Sequence, residues 1–117
     1  MDLLQALQEW YARHCDGEWE HRYGITIETC DNPGWRVQVD LTGTELQKRT
    51  FRPIVVNVDE SGFQQQDRWL HCCIDDGVWR GAGDETRLSV ILRAFVDWAA
   101  GRPAQPGAAA ETPSPQP

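Results

Sequence analysis

The chain has 117 residues, of which 40% are hydrophobic and six are tryptophan, a composition typical of one soluble globular domain rather than a disordered chain. No apolar run is long enough to cross a bilayer, and no basic stretch precedes the first leucines as it would in a secretory signal, so we expect a cytoplasmic protein. The net charge of −7 repels phosphate backbones, which argues against direct nucleic-acid binding, and it serves either solubility or attraction to a basic protein partner.

The first predicted element is an amphipathic helix over residues 2–14. Leucine and aromatic residues recur there at helical spacing, and Asp2 is a suitable N-cap. Asp16 and Gly17 end the helix, and the segment up to Tyr23, which contains Trp19, is predicted to be a loop or a first short strand. The apolar stripe of the helix requires a covering layer.

A β-hairpin follows, because the hydrophobic period changes to two after residue 24. Ile25 and Ile27 alternate with polar residues, and the same alternation resumes from residue 35 to residue 41. We interpret residues 32–35 as a type II turn, with Pro33 fixing φ at the first central position and Gly34 adopting positive φ at the second. The polar face of this hairpin would display four side chains together: Glu28, Arg36, Gln38 and Asp40.

The remaining strands are shorter. Residues 44–49 are predicted to be irregular, residues 51–59 form a third strand, and residues 60–67 form a polar loop. Residues 68–74 form a fourth strand, and the turn signal Asp75-Asp76-Gly77 leads into a short return strand over residues 78–80.

A second helix is predicted to begin at Asp84 as N-cap, after the glycines at 81 and 83, and to end with Gly101 in the C′ position. Residues 102–117 are rich in proline and alanine and contain no large apolar residue, so we expect a disordered tail. The domain therefore spans residues 1–101. Its predicted class is α+β: an antiparallel meander of about four or five strands, with the N-terminal and C-terminal helices packed on one face and the other face open.

No catalytic site is evident. We expect the four cysteines to be reduced thiols, since nothing indicates export. A group of possible metal ligands surrounds the end of the first helix, but its spacing matches no metal signature: His14, Cys15, Asp16, Glu18, Glu20 and His21. The pairs His14-Cys15 and His71-Cys72 could suggest a thiol enzyme, yet no loop that would bind an anion follows any cysteine. We predict no catalytic residue, cofactor or metal.

The tryptophans differ in context. Trp10 and Trp98 lie on helix stripes and are predicted to be core, Trp35 is assigned to the core rather than to a contact, and Trp69 and Trp79 are not assigned. Trp19 flanks a charged segment, where tryptophan is common in binding hot spots.

The sequence resembles the immunity protein 53 family of bacterial polymorphic toxin systems over about residues 1–100. The resemblance rests on these segments: Trp10-Tyr11, residues 15–21, Tyr23-Gly24-Ile25, Ile27-Glu28-Thr29, residues 31–35, Asp40-Leu41-x-Gly43-Thr44, Asp67-x-Trp69, Gly81-x-Gly83 and the leucine-rich last helix. It implies a cytoplasmic, non-enzymatic antidote that binds and blocks a cognate toxin domain. It brings no established catalytic residues.

We hypothesise that the toxin-binding residues cluster around the hairpin, where acidic groups would meet basic groups of a toxin. Charge alone favours a nuclease, with a deaminase or a peptidase as alternatives. The set is Glu18, Trp19, Glu20, His21, Glu28, Asp31, Asn32 and Asp40. Two alternatives remain open: a small thiol- or metal-dependent enzyme, and an adaptor that binds another domain through its proline-rich tail.

Overall fold

The computed structural model describes residues 2–31, 33–57 and 68–101. In chain order these contain α1 (Leu3–His14), α2 (Trp19–Arg22), β1 (Ile25–Cys30), β2 (Gly34–Asp40), β3 (Ile54–Val56), β4 (Leu70–Asp75), β5 (Val78–Gly83) and α3 (Leu88–Ala99). The predicted α+β class is confirmed. Asn32, the predicted polar loop, the end of the predicted third strand and the predicted tail from residue 102 lie outside the described residues.

The strands form one antiparallel sheet in the order β1-β2-β5-β4-β3. The antiparallel sheet is as predicted, but its order is not that of a single meander: the β1-β2 hairpin and the β3-β4-β5 meander join side by side, because β2 pairs with β5 rather than with β3. This order places β5 at the centre of the sheet, and it leaves β1 and β3 as the two edges.

The helices cover one face of the sheet, as predicted. Val37, Val39 and Trp79 lie on that face and are fully buried. The Phe95 ring of α3 packs between the Trp79 ring of the sheet, at 5.2 Å, and the Trp10 ring of α1, at 5.1 Å. Aromatic side chains in edge-to-face contact thus connect the sheet, α3 and α1 in one core, where each buried ring removes a large apolar area from water.

The strand β5 is longer than predicted because its glycines admit α3 at close range. A Cβ atom at Gly81 would lie 2.5 Å from Cγ2 of Ile91, which belongs to α3. A Cβ at Gly83 would lie 2.7 Å from Cβ of Arg87. Residues 81–83, which the prediction placed between the return strand and the second helix, therefore belong to β5, and both glycines lie where the helix crosses the sheet.

The predicted type II turn with Gly34 at its second central position was wrong. The hairpin forms, but β2 already begins at Gly34, whose φ is not positive. A Cβ there would overlap the carbonyl oxygen of Gly83 on the neighbouring strand. Gly34 therefore belongs to β2, where the lack of a side chain allows close packing within the sheet.

The predicted helix ends were partly confirmed. Asp2 caps α1 by accepting a hydrogen bond from the Gln5 N–H at 2.7 Å, and Gly101 follows α3 with φ of 79°. Asp84 was wrong as the N-cap of α3, whose first residue is Leu88. Its carboxylate instead accepts hydrogen bonds from the N–H and hydroxyl of Thr86 in the preceding turn, at 2.8 and 2.6 Å.

Residues 44–49 contribute more to the fold than their irregular pattern indicated. Leu46 is fully buried, and the Glu45 carboxylate accepts a hydrogen bond from the Trp10 indole at 3.2 Å. Partial burial opposes ionisation of Glu45, but hydrogen bonds from His14, from its own backbone and from Trp10 outweigh it and hold the pKa of Glu45 below its usual range. This segment is therefore bonded to α1 through Glu45.

Candidate functional site

The region between α1 and β1 is a short helix, α2, where a loop or strand was predicted. Trp19 anchors it: the side chain is only 6% exposed, and its indole N–H donates to the Thr42 carbonyl at 2.8 Å. Its ring is surrounded by the aromatic rings of Trp10, Tyr11, His14 and Tyr23. Trp19 therefore positions the neighbouring side chains and presents little area to a partner.

Two carboxylates stabilise the backbone that leads into α2. One Asp16 oxygen accepts hydrogen bonds from the N–H groups of Glu18 and Trp19, both at 2.9 Å. The Glu20 carboxylate reaches back to the N–H groups of Asp16 and Gly17, at 2.9 and 2.8 Å. This reciprocal exchange resembles a capping box, and it satisfies four backbone donors with two side chains.

The same hydrogen bonds lower the pKa values of Asp16 and Glu20. The backbone N–H groups of Trp19 and then Glu18 hold the pKa of Asp16 below its usual range. The pKa of Glu20 is lowered by backbone hydrogen bonds, first from its own N–H and then from Asp16 and Gly17. Both carboxylates are therefore charged at neutral pH and occupied within the protein.

Glu18 and His21 project from the same short helix but are not occupied in this way. Both are exposed, and within the described ranges neither side chain makes a hydrogen bond. The buried Trp19 side chain and the hydrogen-bonded loop before α2 restrict the backbone of Glu18 and His21. Both side chains are therefore exposed to solvent on a backbone of restricted conformation.

The face of the sheet opposite the helices carries the predicted polar hairpin face, and its charges are of both signs. Glu28 on β1 lies across from Arg36 on β2, with carboxylate and guanidinium 3.6 Å apart and both side chains half exposed. Arg80 on β5 similarly approaches Asp75 on β4 at 3.7 Å. This open face can therefore supply both acceptors and donors to a partner.

A cleft of about 370 Å³ lies where the end of α2 meets the open face. Its lining includes Arg22 from α2, Gln38 and Asp40 from β2, and backbone around Gly24. Asp40 accepts a hydrogen bond from the Thr42 N–H at 3.0 Å, and Thr42 also holds Trp19. Thr42, just after β2, therefore connects Asp40 in the cleft with Trp19 in α2 by hydrogen bonds.

The hypothesised binding residues lie along β1 rather than in one pocket. Asp40 is bonded to Gly24 just before β1, and Glu18 and His21 precede β1 at the N-cap and within α2. Glu28 is within β1, and Asp31 follows its end. Six residues at about 3.3 Å each make β1 roughly 20 Å long, so the two groups are separated by about that distance. Only an extended partner surface would contact both groups.

The environment of Cys72 and Cys73 does not support the alternative of a thiol-dependent enzyme. Burial, and secondarily Cys73, raises the pKa of the Cys72 thiol to about 12, and burial followed by Asp75 also raises the pKa of Cys73. Such thiols are poor nucleophiles at neutral pH. All four cysteines are free, as expected.

The possible metal ligands around the end of α1 do not form a site among the described residues. Both ring nitrogens of His14 are within hydrogen-bond distance of oxygen acceptors, the Trp10 carbonyl at 2.7 Å and Glu45 at 2.6 Å. Across residues 2–31, 33–57 and 68–101, no three histidine, cysteine or acidic side chains converge as metal ligands would.

Sequence reasoning missed the exposed edge of β1. Ile27 is 41% exposed, although it belongs to the apolar face that the helices cover elsewhere. The alternating pattern marked Ile27 as apolar and inward, but it contained no signal for strand order, and strand order alone leaves β1 at the edge.

Comparison with known proteins gives one match. The family model described as immunity protein 53 matches residues 4–100. No curated protein and no solved structure matches the chain. No helix in the described ranges is both long enough and apolar enough to span a bilayer. Because the family model covers most of the sequence, this chain belongs to the immunity protein 53 family.

Proposed function

We propose that this protein binds and neutralises the cognate toxin domain of a bacterial polymorphic toxin system, in the cytoplasm, by covering a basic active-site surface. The observation that carries the proposal is the family match over residues 4–100, which implies an immunity protein. The net charge of −7 supports a basic partner, because opposite charge accelerates encounter and favours correct orientation.

The proposed contact surface is the row of exposed acids along β1. Glu18 and Asp31 are exposed, and within the described part of the chain neither carboxylate forms an ion pair. Glu28 is half exposed, and at 3.6 Å its pairing with Arg36 is long enough that a basic group of the toxin could compete for it. His21 and Asp40 complete the surface near the start of β1, and Asn32 remains part of the hypothesis.

Within the hypothesised set, Trp19 and Glu20 support the surface from inside the protein, and Asp40 both supports it and belongs to it. Trp19 is buried against α1, and Glu20 binds backbone N–H groups together with Asp16, which was outside the set. Asp40 contributes its carboxylate both to the cleft and to Thr42. Their substitution would alter the surface indirectly, whereas substitution of Glu18 or Glu28 would alter its charge directly.

Single charge reversals test this surface. The partner is the toxin domain encoded by the neighbouring open reading frame, with its activity removed for binding measurements. We expect Glu18→Lys and Glu28→Lys each to weaken binding at least about tenfold, equivalent to about 1.4 kcal/mol, and to reduce protection of cells that express the active toxin. Calorimetry and a co-expression survival assay measure the two effects.

Glu9→Lys is the matched control, because it makes the same change in net charge on α1, away from the open face. We expect it to change affinity less than threefold. Circular dichroism confirms that each variant is folded. Wild-type protein that neither binds the toxin nor protects cells would refute the proposed function. Equal affinity of all three variants would refute the contact surface alone.

A further inference from the structure

One edge of the sheet has unpaired backbone groups in a regular array. The Asp40 N–H donates to the Gly24 carbonyl at 3.1 Å, and the register continues as Ile25 opposite Val39 and Thr26 opposite Gln38. In an antiparallel pair, hydrogen-bonded residues alternate along the strand. Residues 24, 26, 28 and 30 therefore direct their backbone toward β2, while Ile25, Ile27 and Thr29 direct N–H and C=O groups outward.

The two edges of the sheet differ in how they are protected. β3 has only three residues and follows Pro53, and shortness and proline are both features that discourage pairing with another chain. β1 has six residues without proline or lysine, and four of its residues are exposed. Among the described residues, none pairs with its outer edge. β1 is therefore competent to accept another strand.

The side chains of β1 specify the chemistry of such a strand. On the helix-covered side, Ile27 is 41% exposed and Ile25 is partly buried, so apolar side chains would pack there. On the open side, Glu28 would lie beside a neighbouring strand and favours a basic side chain. Glu18 and Asp31, near the two ends of β1, add negative charge. A strand that alternates apolar and basic residues satisfies both sides.

We infer that the toxin adds an extended segment of alternating apolar and basic residues to the free edge of β1, forming a sixth strand of the sheet. This inference rests on the proposed function and identifies how the toxin binds. A second copy of this chain would also provide a strand, but each copy carries a charge of −7, so mutual repulsion favours the basic partner. Backbone pairing of this kind is an established mode of peptide recognition.

Amide hydrogen exchange provides a residue-specific test. The inactive toxin domain from the neighbouring open reading frame is the probe, and exchange is measured by NMR on the free protein and the complex. We expect the N–H groups of Ile25, Ile27 and Thr29 to exchange at least about tenfold more slowly in the complex. Those of Thr26 and Glu28 already pair with β2 and should change much less. Contact through side chains alone would not produce this alternation.

A pair of edge variants provides the second test. Ile27→Lys places a positive charge at the middle of the proposed junction, and we expect it to weaken toxin binding at least about tenfold. Val55→Lys is the matched control, since Val55 is 54% exposed on the opposite edge strand. We expect it to bind within about twofold of wild type. Both positions are exposed enough to accept lysine without loss of the fold.

The outcomes separate the two proposals. Tight binding by wild type, with equal affinity for Ile27→Lys and no alternating protection, would overturn strand addition and leave the proposed function intact. A toxin-free dimer whose β1 amides are already protected, detected by light scattering, would also overturn it, because the edge would then hold a second copy. Failure of wild type to bind the toxin would refute the proposed function and this inference with it.

Discussion

The two faces of the sheet are built from alternating residues of the same strands, yet they differ in nearly every physical respect. On the covered face, Val37, Val39 and Trp79 are fully buried beneath α3. On the open face, Glu28 and Arg36 remain half exposed, and the ion pairs described there, Glu28–Arg36 and Asp75–Arg80, are long at 3.6 and 3.7 Å. Stability therefore depends mainly on the covered face, while the side chains of the open face are available to a partner. Substitutions on the covered face should therefore change the free energy of unfolding, and substitutions on the open face should mainly change binding of a partner.

The largest expected effect is overpacking of the covered face at Gly81. In Gly81→Ala the new Cβ would lie 2.5 Å from Ile91 Cγ2 and 2.9 Å from the Trp79 ring, so α3 or the ring must shift. We expect the free energy of unfolding to fall by about 1–3 kcal/mol, measured by urea denaturation. The matched control is Gly24→Ala beside the open face, where nothing lies within 4 Å of the new Cβ. We expect that variant to stay within about 1 kcal/mol of wild type. An equal loss of unfolding free energy in the two variants would contradict the proposed difference between the two faces.

An intermediate effect concerns carboxylates enclosed by hydrogen bonds. Asp84 is only 4% exposed; burial raises its pKa, but hydrogen bonds from Thr86 and the charge of Arg87 outweigh burial and lower it overall. A pKa that is lower in the folded state contributes stability above the unfolded value, near pH 4, and this contribution is lost as pH falls through the folded pKa.

We therefore expect the free energy of unfolding to be nearly constant from pH 7 to pH 5 and to decrease below about pH 4. Asp84→Asn should lower it by about 1 kcal/mol at pH 7 and reduce the acid dependence. Denaturant unfolding at several pH values measures both. An unchanged pH profile in Asp84→Asn would show that its ionisation does not stabilise the fold.

The smallest expected effect is removal of the ion pair on the open face. Glu28 and Arg36 are each about half exposed, so solvent and salt screen their attraction. We expect Glu28→Gln and Arg36→Gln each to change the free energy of unfolding by less than about 0.5 kcal/mol. A loss above about 1 kcal/mol would show that the open face also holds the fold together.

Much of the fold could be predicted because it depends on local periodicity. Helical spacing identified α1 and α3, and alternation identified the β1-β2 hairpin, since each pattern places apolar side chains on one face of an element. Trp10 and Trp98 were correctly assigned to the core, and Asp2 and Gly101 were recognised from the chemistry of helix ends. These assignments need only residues close together in sequence.

Other features depend on contacts between distant residues. Gly34 and Gly81 could not be interpreted correctly without the neighbouring strand and helix that approach them. The length of β5 and the role of Asp84 depend on how α3 crosses the sheet. Trp19 and Glu20 belonged to a charged segment that suggested a contact surface, but packing against α1 and backbone hydrogen bonds occupy both.

The sequence by itself therefore determined the class, most of the elements, the acidic character and the family resemblance that the comparison confirmed. Tertiary structure decided the strand order, and with it which edge of the sheet is open. The physical reason is that periodicity determines the face on which a side chain lies, whereas pairing between distant strands determines whether that strand's backbone is satisfied or remains available to a partner.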